Sequence, residues 1–262
     1  MSHWLAGLDR GALVPDRALG RVHSVFDRAC NVALDDGRLL GLLDRSGASA
    51  PLAIRLDVAG GLRARFVPGE PFSIKAGVWR TRGCRGEVAA LPVQQPLPPG
   101  DLLAPPQIAA RLDALDLALA SWQAERGATS DVATLATGLA QAVAQREAPA
   151  LEAAAQGLIG RGVGLTPSGD DLLVGSLAAL WRLARGDSTL RPLLASLRAS
   201  VAVLLHRTTE VSRHYLGLAL DDRFVQPLDE LRHACLHQAR RPACTQPASA
   251  RWPSAPVRVS TP

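Results

Sequence analysis

The spacing of apolar residues changes along the chain from a period of two to a period near 3.6. Residues 20–93 contain short apolar and polar alternations separated by turn residues, a pattern that predicts β-strands. Val22–Val32 alternates imperfectly, Asp35-Asp36-Gly37 offers a tight turn, and Arg38–Leu43 resumes the apolar pattern. We therefore predict a first β-hairpin here.

A second hairpin is predicted from a cleaner alternation. Leu52–Val58 and Leu62–Val67 both alternate, and Gly60-Gly61 lies between them as the turn. Phe72–Trp79 and Glu87–Val93 are expected to complete a small antiparallel sheet.

Proline-rich residues separate this region from a helical one. Gln94–Pro106 includes Pro96, Pro98, Pro99, Pro105 and Pro106, which cannot donate sheet hydrogen bonds and stiffen the chain. Beyond them, apolar residues recur at helical spacing. The predicted fold class is α+β, with a small antiparallel β domain over residues 1–100, an α-helical domain over 101–239 and a tail over 240–262. Helices are expected near residues 108–122, 132–143, 149–157, 170–185, 191–205 and 208–220, with one further helix carrying His233 and His237.

Arg161–Asp171, of sequence RGVGLTPSGDD, is the stretch richest in special residues. Thr166 can cap a helix with Pro167 at its first position, or Ser168 can cap it with Asp171 as the acid of a capping box. Either arrangement starts a helix here. Three glycines, Gly162, Gly164 and Gly169, allow the loop amides to turn toward one point, and such a point attracts anions. The alternative is a glycine-rich turn that simply feeds a buried helix.

This stretch fits neither common nucleotide motif. Gly164 and Gly169 have the glycine spacing of a P-loop, but Asp170 and Asp171 stand where Lys and Ser or Thr should follow. The third glycine of a dinucleotide fingerprint and the apolar strand that leads into it are both missing from the sequence. ATP binding of the P-loop type and a Rossmann site are therefore excluded.

A second polar helix start follows about forty residues later. Thr208 or Thr209 can cap a helix that runs through Leu220, with Ser212 and Arg213 in its N-terminal half. If the two helix starts meet, their amides and hydroxyls would form one anion site. The alternative is that these hydroxyls only cap and hydrate an ordinary helix.

Composition narrows the class of protein. Hydrophobic residues make up 47% but aromatic residues only 4%, so we expect a core of Ala, Leu and Val. The formal net charge is +5, yet four of the 29 basic residues lie in 240–262, which leaves 25 basic and 24 acidic residues elsewhere. The folded part thus lacks the basic face of a nucleic-acid binder.

Cellular location is predicted from what the sequence lacks. The cysteines, Cys30, Cys84, Cys235 and Cys244, have no metal or disulfide spacing, and we interpret them as reduced thiols. The N-terminal residues have no apolar core of signal-peptide type, and the apolar run Leu172–Trp181 is about half a bilayer-spanning length. We expect a cytoplasmic protein without a membrane helix.

Residue types and spacings in the sequence suggest three other chemical sites. His233 and His237 have the spacing of two zinc ligands, but no third ligand is placed, so no metal site is assigned. A triad of Ser168, His206 and Asp170 lacks the nucleophile elbow of hydrolases and is rejected. Asp170 and Asp171 could hold Mg²⁺ or act as a base, or one of them could cap the helix while the other is solvated.

Three segments carry a family resemblance. The segments GRVHSVFDRACNVALD (20–35), GVGLTPSGDDLLVG (162–175) and RTTEVSRHYLGLAL (207–220) resemble, in this order, the motifs of a bacterial family once called a domain of unknown function. The AllH subunit of oxamate carbamoyltransferase belongs to that family. The resemblance spans roughly residues 20–235.

The resemblance implies carbamoyl transfer in anaerobic purine or allantoin breakdown. In that reaction phosphate attacks the carbamoyl group of oxalurate and gives oxamate and carbamoyl phosphate, so the site must hold anionic oxygens. Asp170, Asp171 and Ser168 are the catalytic candidates. No cofactor is assigned, apart from the Mg²⁺ that the two aspartates could hold. We expect partner subunits in addition to the small anionic substrate. The alternative is a non-catalytic subunit that binds a small anion or stabilises its partners. The residues expected to bind the anion are Arg161, Gly162, Gly164, Thr166, Gly169, Thr208, Thr209 and Ser212.

The last residues change character. Residues 240–262 contain five prolines and four arginines without any acid, and we predict that they are disordered and protease-sensitive. The family that the chain resembles continues here with another helix and a second Gly/Ser-rich turn, and residues 240–262 depart from that pattern. We hypothesise a frameshifted or truncated C terminus.

Overall fold

A computed structural model describes residues 2–98, 100–126 and 132–237, with side chains described except over 117–134. The predicted tail, 240–262, lies outside the described residues. Within them the chain is strand-rich first and helical afterwards, which confirms the α+β class.

Ten strands among the described residues form one twisted sheet. Its order is β1-β9-β8-β7-β3-β4-β5-β6-β2-β10, and it is mixed, because β1–β9, β5–β6 and β2–β10 pair in parallel. The other six strand pairings are antiparallel, as predicted, so these three parallel pairings are the only departure from the predicted antiparallel pairing among the described residues. The strands are β1 (His3–Trp4), β2 (Gly7–Gly11), β3 (Ala18–Val25), β4 (Ala29–Leu34), β5 (Leu39–Leu43), β6 (Ala53–Leu56), β7 (Pro71–Lys75), β8 (Val78–Arg80), β9 (Cys84–Glu87) and β10 (Val93–Gln94).

The first predicted hairpin is confirmed and extended. β4 and β5 pair antiparallel around the Asp35-Asp36-Gly37 turn. Val22–Val32 is not one strand, however, because the chain reverses after Phe26, whose amide donates to the Ala29 carbonyl at 2.7 Å. The reversal creates a second hairpin, β3–β4, next to the first.

The second predicted hairpin is wrong. Leu62–Ala64 forms a 3-10 turn, and β6 pairs with β5 and β2 instead. Leu62 and Phe66, four residues apart, are buried while Ala64 is exposed, so the apparent alternation hides a helical spacing. Phe72–Trp79 likewise divides into the hairpin β7–β8.

The predicted helices form, and the last of them carries His233 but ends before His237. They are α1 (Pro105–Arg126), α2 (Val132–Gln145), α3 (Ala148–Leu158), α4 (Ser168–Gly186), α5 (Arg191–Leu204), α6 (Glu210–Leu220) and α7 (Gln226–Leu236). Leu193, Leu197 and Val201 of α5 pack into the helical core. With its flanking 3-10 turns, α5 extends over Ser188–Arg207, which is long and apolar enough to cross a membrane by length and composition alone.

Each half of the fold has its own core. The sheet packs around Trp79, whose ring lies 6.0 Å from Phe66 and 6.3 Å from Phe72 between centroids. The helical core is almost entirely leucine, alanine and valine, with Phe224 at its edge. Burial of each large apolar side chain contributes about 1.5–3 kcal/mol, so both cores can hold their elements in place.

A buried charge cluster ties the segment between the two halves to the helices. Asp229 on α7 accepts from the Leu97 amide at 2.6 Å and from Arg232 Nε at 2.5 Å. Arg182 on α4, only 2% exposed, donates to the Leu97 carbonyl at 3.0 Å and to Asp229 at 3.3 Å. The proline-rich segment is therefore anchored where α4 meets α7.

Candidate functional site

Helix α4 begins at Ser168, between the two predicted starts at Pro167 and Gly169. Neither of the predicted side-chain caps forms. Pro167 occupies the N-cap position with extended backbone, and Ser168 is the first helical residue. The amides of Asp170 and Asp171 both donate to the Pro167 carbonyl, at 2.9 and 3.1 Å. The capping roles predicted for Thr166 and Ser168 are therefore wrong, because the proline carbonyl and the loop backbone supply the acceptors.

The loop before α4 is exposed and keeps its amides available. From Arg161 to Thr166 every residue is exposed, and within the described residues the backbone N–H groups from Gly162 to Thr166 donate to no protein acceptor. Gly162 has φ of 118°, and a Cβ there would lie 2.7 Å from the Ser168 amide nitrogen. Gly162 thus closes the loop onto the start of the helix, with Ser168 exposed beside it.

Gly169 serves packing rather than the loop surface. It is buried, its amide donates to the Arg161 carbonyl at 2.9 Å, and an added Cβ would lie 2.0 Å from the Leu158 carbonyl oxygen. The first turn of α4 therefore presses against the end of α3. This position does not present Gly169 to a ligand as the sequence suggested.

Asp170 connects the two helix starts. Its carboxylate, in a residue 1% exposed, accepts from the Gly160 amide at 2.7 Å and from the Thr208 hydroxyl. Thr209 caps α6 by accepting from the Ser212 amide at 3.1 Å, and its own hydroxyl donates to the Leu165 carbonyl. The structure thus brings the glycine-rich loop against the start of α6. Ser212 itself is buried at 2% exposure.

A pocket of about 260 Å³ adjoins the loop on one side. Thr166, Asp171, Tyr215 and Arg223 supply its polar wall. Burial, followed by the charge of Asp170, raises the pKa of Asp171, and burial raises the pKa of Tyr215. Asp171 is therefore easier to protonate than a solvated aspartate. The apolar wall consists of Val174, Phe224, Val225 and Leu228.

A cleft of about 560 Å³ lies on the opposite side of α6, between this helix and the sheet. His23 Nε2 of β3 contacts the Glu210 carboxylate in the first turn of α6, and both residues line the cleft. His214 also lines it, and burial with the charge of Arg38 lowers the pKa of His214 to about 4. The His214 imidazole is therefore neutral near pH 7.

All three segments that the sequence analysis singled out therefore meet around the start of α6. Residues 20–35 reach it through His23, and the glycine-rich loop reaches it through Asp170 and Leu165. His23 and Glu210 line the cleft and Tyr215 lines the pocket, and none of the three was predicted from the sequence. All three lie inside the quoted segments 20–35 and 207–220, which was the signal available.

The other sites composed from the sequence are not assembled. Asp170 binds Gly160 and Thr208, whereas the His206 ring bonds the Val203 carbonyl at 2.9 Å. Asp170 and His206 therefore do not form the hydrogen bond that the rejected triad would need. The rings of His233 and His237 lie 5.0 Å apart, with His237 just beyond the end of α7. Across residues 2–98, 100–126 and 132–237, no three His, Cys, Asp or Glu side chains form a group that could hold a metal.

The sequence was compared with known protein families, curated proteins and solved structures. The family described as AllH, oxamate carbamoyltransferase subunit AllH, matches residues 158–250, and the AllH family N-terminal domain matches residues 3–89. Searches of curated proteins and of solved structures found no match. The two family matches contain the glycine-rich loop, α6 and the β3–β4 hairpin, which meet in the fold. The chain belongs to the AllH family.

Proposed function

We propose that this chain is a subunit of an oxamate carbamoyltransferase and that residues 161–171 bind its small anionic substrate. The substrate class comprises oxalurate, oxamate, carbamoyl phosphate and phosphate. Family membership supports the reaction class. The anion site itself rests on the geometry of the loop.

The observation that carries the proposal is the run of unpaired amides. The N–H groups from Gly162 to Thr166 have no acceptor among the described residues, and they precede a helix of 19 residues. Successive backbone amides with positive φ at intervals form a concave donor surface that suits an anion, and the helix N-terminus adds partial positive charge. Exposed Thr166 and Ser168 add hydroxyl donors at the same place.

Charge at the loop also favours a small anion. Arg161 is exposed at its first position. The Asp170 carboxylate is turned to protein donors, the Gly160 amide and the Thr208 hydroxyl, so its charge is compensated within the fold. Arginine binds carboxylate and phosphate through two parallel hydrogen bonds, so Arg161 can add specificity as well as charge.

Calorimetric titration with inorganic phosphate, carbamoyl phosphate and oxamate tests the anion site. Arg161→Ala should weaken binding by about 1–3 kcal/mol, the scale of one charge-assisted hydrogen bond, or roughly 5- to 150-fold in Kd. The exposed Arg63→Ala variant is the matched control and should bind as the wild type does. Equal affinities for Arg161→Ala and wild type, or no binding by a folded wild-type chain, would contradict the proposal.

Gly164→Val gives a second variant at the loop. Gly164 has φ of 97°, and an added Cβ meets nothing within 4 Å, so valine there strains the backbone without a clash. Binding should be lost because the amides are redirected. Thermal unfolding of the same variant separates a local change in the loop from a loss of fold.

A non-catalytic role within the assembly is the second candidate. Asp170, one of the expected catalytic residues, is buried and bound to Gly160 and Thr208, which favours a structural part for it. Assay of carbamoyl transfer by the purified chain, alone and after addition of partner subunits, distinguishes the two. Anion binding without turnover by the isolated chain would favour the non-catalytic subunit.

A further inference from the structure

A chain of hydrogen bonds links four polar residues beside the cleft between α6 and the sheet. Asn31 Nδ2 donates to Ser24 Oγ at 3.0 Å, Ser24 Oγ lies 3.2 Å from His23 Nδ1, and His23 Nε2 pairs with Glu210. A hydroxyl, an imidazole and a carboxylate in this order are the parts of an activated serine nucleophile. We propose that Ser24 is a nucleophile that accepts an acyl or carbamoyl group, with His23 as its base.

The local backbone is shaped to bring the first two groups together. Along a regular strand, consecutive side chains point to opposite faces, so His23 and Ser24 should be kept apart. The β3–β4 register instead shifts between Val22 and Ser24, because Val22 faces Val32 while Ser24 faces Asn31. His23 is the extra residue of this bulge. Bulges of this kind redirect side chains and are over-represented next to active sites.

The tautomer of His23 follows from its partners. The Glu210 carboxylate can only accept, so it favours a proton on His23 Nε2 and leaves Nδ1 as an acceptor. Nδ1 then takes the hydrogen bond of the Ser24 hydroxyl, since the Asn31 amide already acts as a donor to Ser24 Oγ. Glu210 is thus a positioning residue, and Asn31 would stabilise negative charge on Oγ.

The cleft supplies a place for a small acyl donor. His23 and Glu210 stand in its wall together with Arg213, whereas Ser24 does not line it and lies next to His23 on β3. Arg213 donates to the Leu205 carbonyl at 3.1 Å and to the Thr208 carbonyl at 3.4 Å, and within the described ranges no carboxylate pairs with it. Its guanidinium, bonded to two carbonyls, favours a donor that carries an anionic group.

The reaction step balances without any cofactor. Ser24 Oγ forms a bond to the carbonyl carbon of the donor while the Ser24 proton moves to His23 Nδ1. The bond from that carbon to the leaving group then breaks, and the proton on His23 passes to the leaving group. Attack by water or phosphate on the acyl-Ser24 ester releases the acyl group and returns the proton to Ser24.

Covalent labelling of the full chain with p-nitrophenyl acetate tests the nucleophile. We expect a burst of nitrophenolate and, by peptide mass spectrometry, one acetyl group on the peptide that contains Ser24. Ser24→Ala should lose both, whereas Ser73→Ala, in the same sheet but without a histidine neighbour, should behave as the wild type does. No burst from the folded wild type, or acetylation unchanged in Ser24→Ala, would overturn the proposal.

Two further variants distinguish catalysis from structure. His23→Gln keeps an amide donor for Glu210 but cannot take the serine proton, so the acetylation rate should fall about 100-fold or more. Glu210→Gln should lower the maximal acetylation rate while leaving the half-saturating ester concentration unchanged, and Glu210→Asp should restore part of it. Unchanged rates in His23→Gln would refute the base. Because labelling is read at Ser24 and anion binding at Arg161, this inference and the proposed loop function can fail separately.

Discussion

Asp170 and Asp171 are adjacent in sequence and occupy opposite environments. Asp170 is 1% exposed and holds Gly160 and Thr208, whereas Asp171 is exposed and lines the pocket beside the loop. Partial desolvation of its carboxyl group, followed by the charge of Asp170, raises the pKa of Asp171. The same residue type thus serves structure at one position and faces solvent at the next.

Replacing each aspartate by alanine should separate these two roles. Asp170→Ala leaves the Gly160 amide and the Thr208 hydroxyl without their acceptor, which should lower the free energy of unfolding by about 2–3 kcal/mol. Asp171→Ala should not destabilise the fold, because it removes a carboxylate that burial and Asp170 disfavour in its charged form. Urea denaturation of both variants measures the difference. Equal losses of stability would contradict the assignment.

At the scale of elements, the start of α4 depends on two glycines for different reasons. Gly169 sits where the helix touches the end of α3, and its absent side chain leaves room for the Leu158 carbonyl. Gly164 lies in the open loop with positive φ. The first glycine is required by packing and the second by backbone conformation.

Alanine at these two positions should give unequal effects. In Gly169→Ala the Cβ would meet the Leu158 carbonyl oxygen at 2.0 Å, so α4 must shift, and we expect a loss above about 2 kcal/mol. Gly164→Ala meets no atom and should cost only about 1 kcal/mol for its left-handed backbone. Thermal unfolding compares the two. A Gly169→Ala variant as stable as Gly164→Ala would show that the helices are not in close contact here.

At the scale of the whole molecule, the charge cluster around Asp229 joins the proline-rich segment to α4 and α7. Arg182 and Arg232, 2% and 5% exposed, both donate to this carboxylate, and Arg232 also pairs with Asp222. Removal of one partner from a buried ion pair leaves the other charge uncompensated, which costs more than loss of a surface pair.

Asp229→Asn should therefore destabilise the protein by about 3–5 kcal/mol. Glu230→Gln, the exposed neighbour, should change stability by less than about 0.5 kcal/mol and is the matched control. Chemical denaturation gives both values. Limited proteolysis near Leu97 should increase in Asp229→Asn, since the Leu97 amide loses a charged acceptor. Unchanged cleavage there would argue against the anchoring role.

The sequence by itself determined the α+β order, the helices and the segments that form the site. Leu193, Leu197 and Val201 repeat at the helical period, and a helix makes its own hydrogen bonds, so local spacing suffices. The strand region was harder, because pairing is decided by distant residues. Leu62 and Phe66 were also misplaced, because the polar and apolar alternation between them concealed the spacing of a 3-10 turn.

Only the tertiary structure decided which polar groups meet. Asp170 was predicted to be catalytic but is bound to Gly160 and Thr208. No catalytic part was predicted for His23 and Ser24, which contact each other. A bulge of one residue in β3 and the packing of α6 on the sheet set their positions, and neither leaves a periodic signal. Spacing along a chain fixes the face on which a side chain lies, but a hydrogen bond between distant segments depends on how whole elements pack.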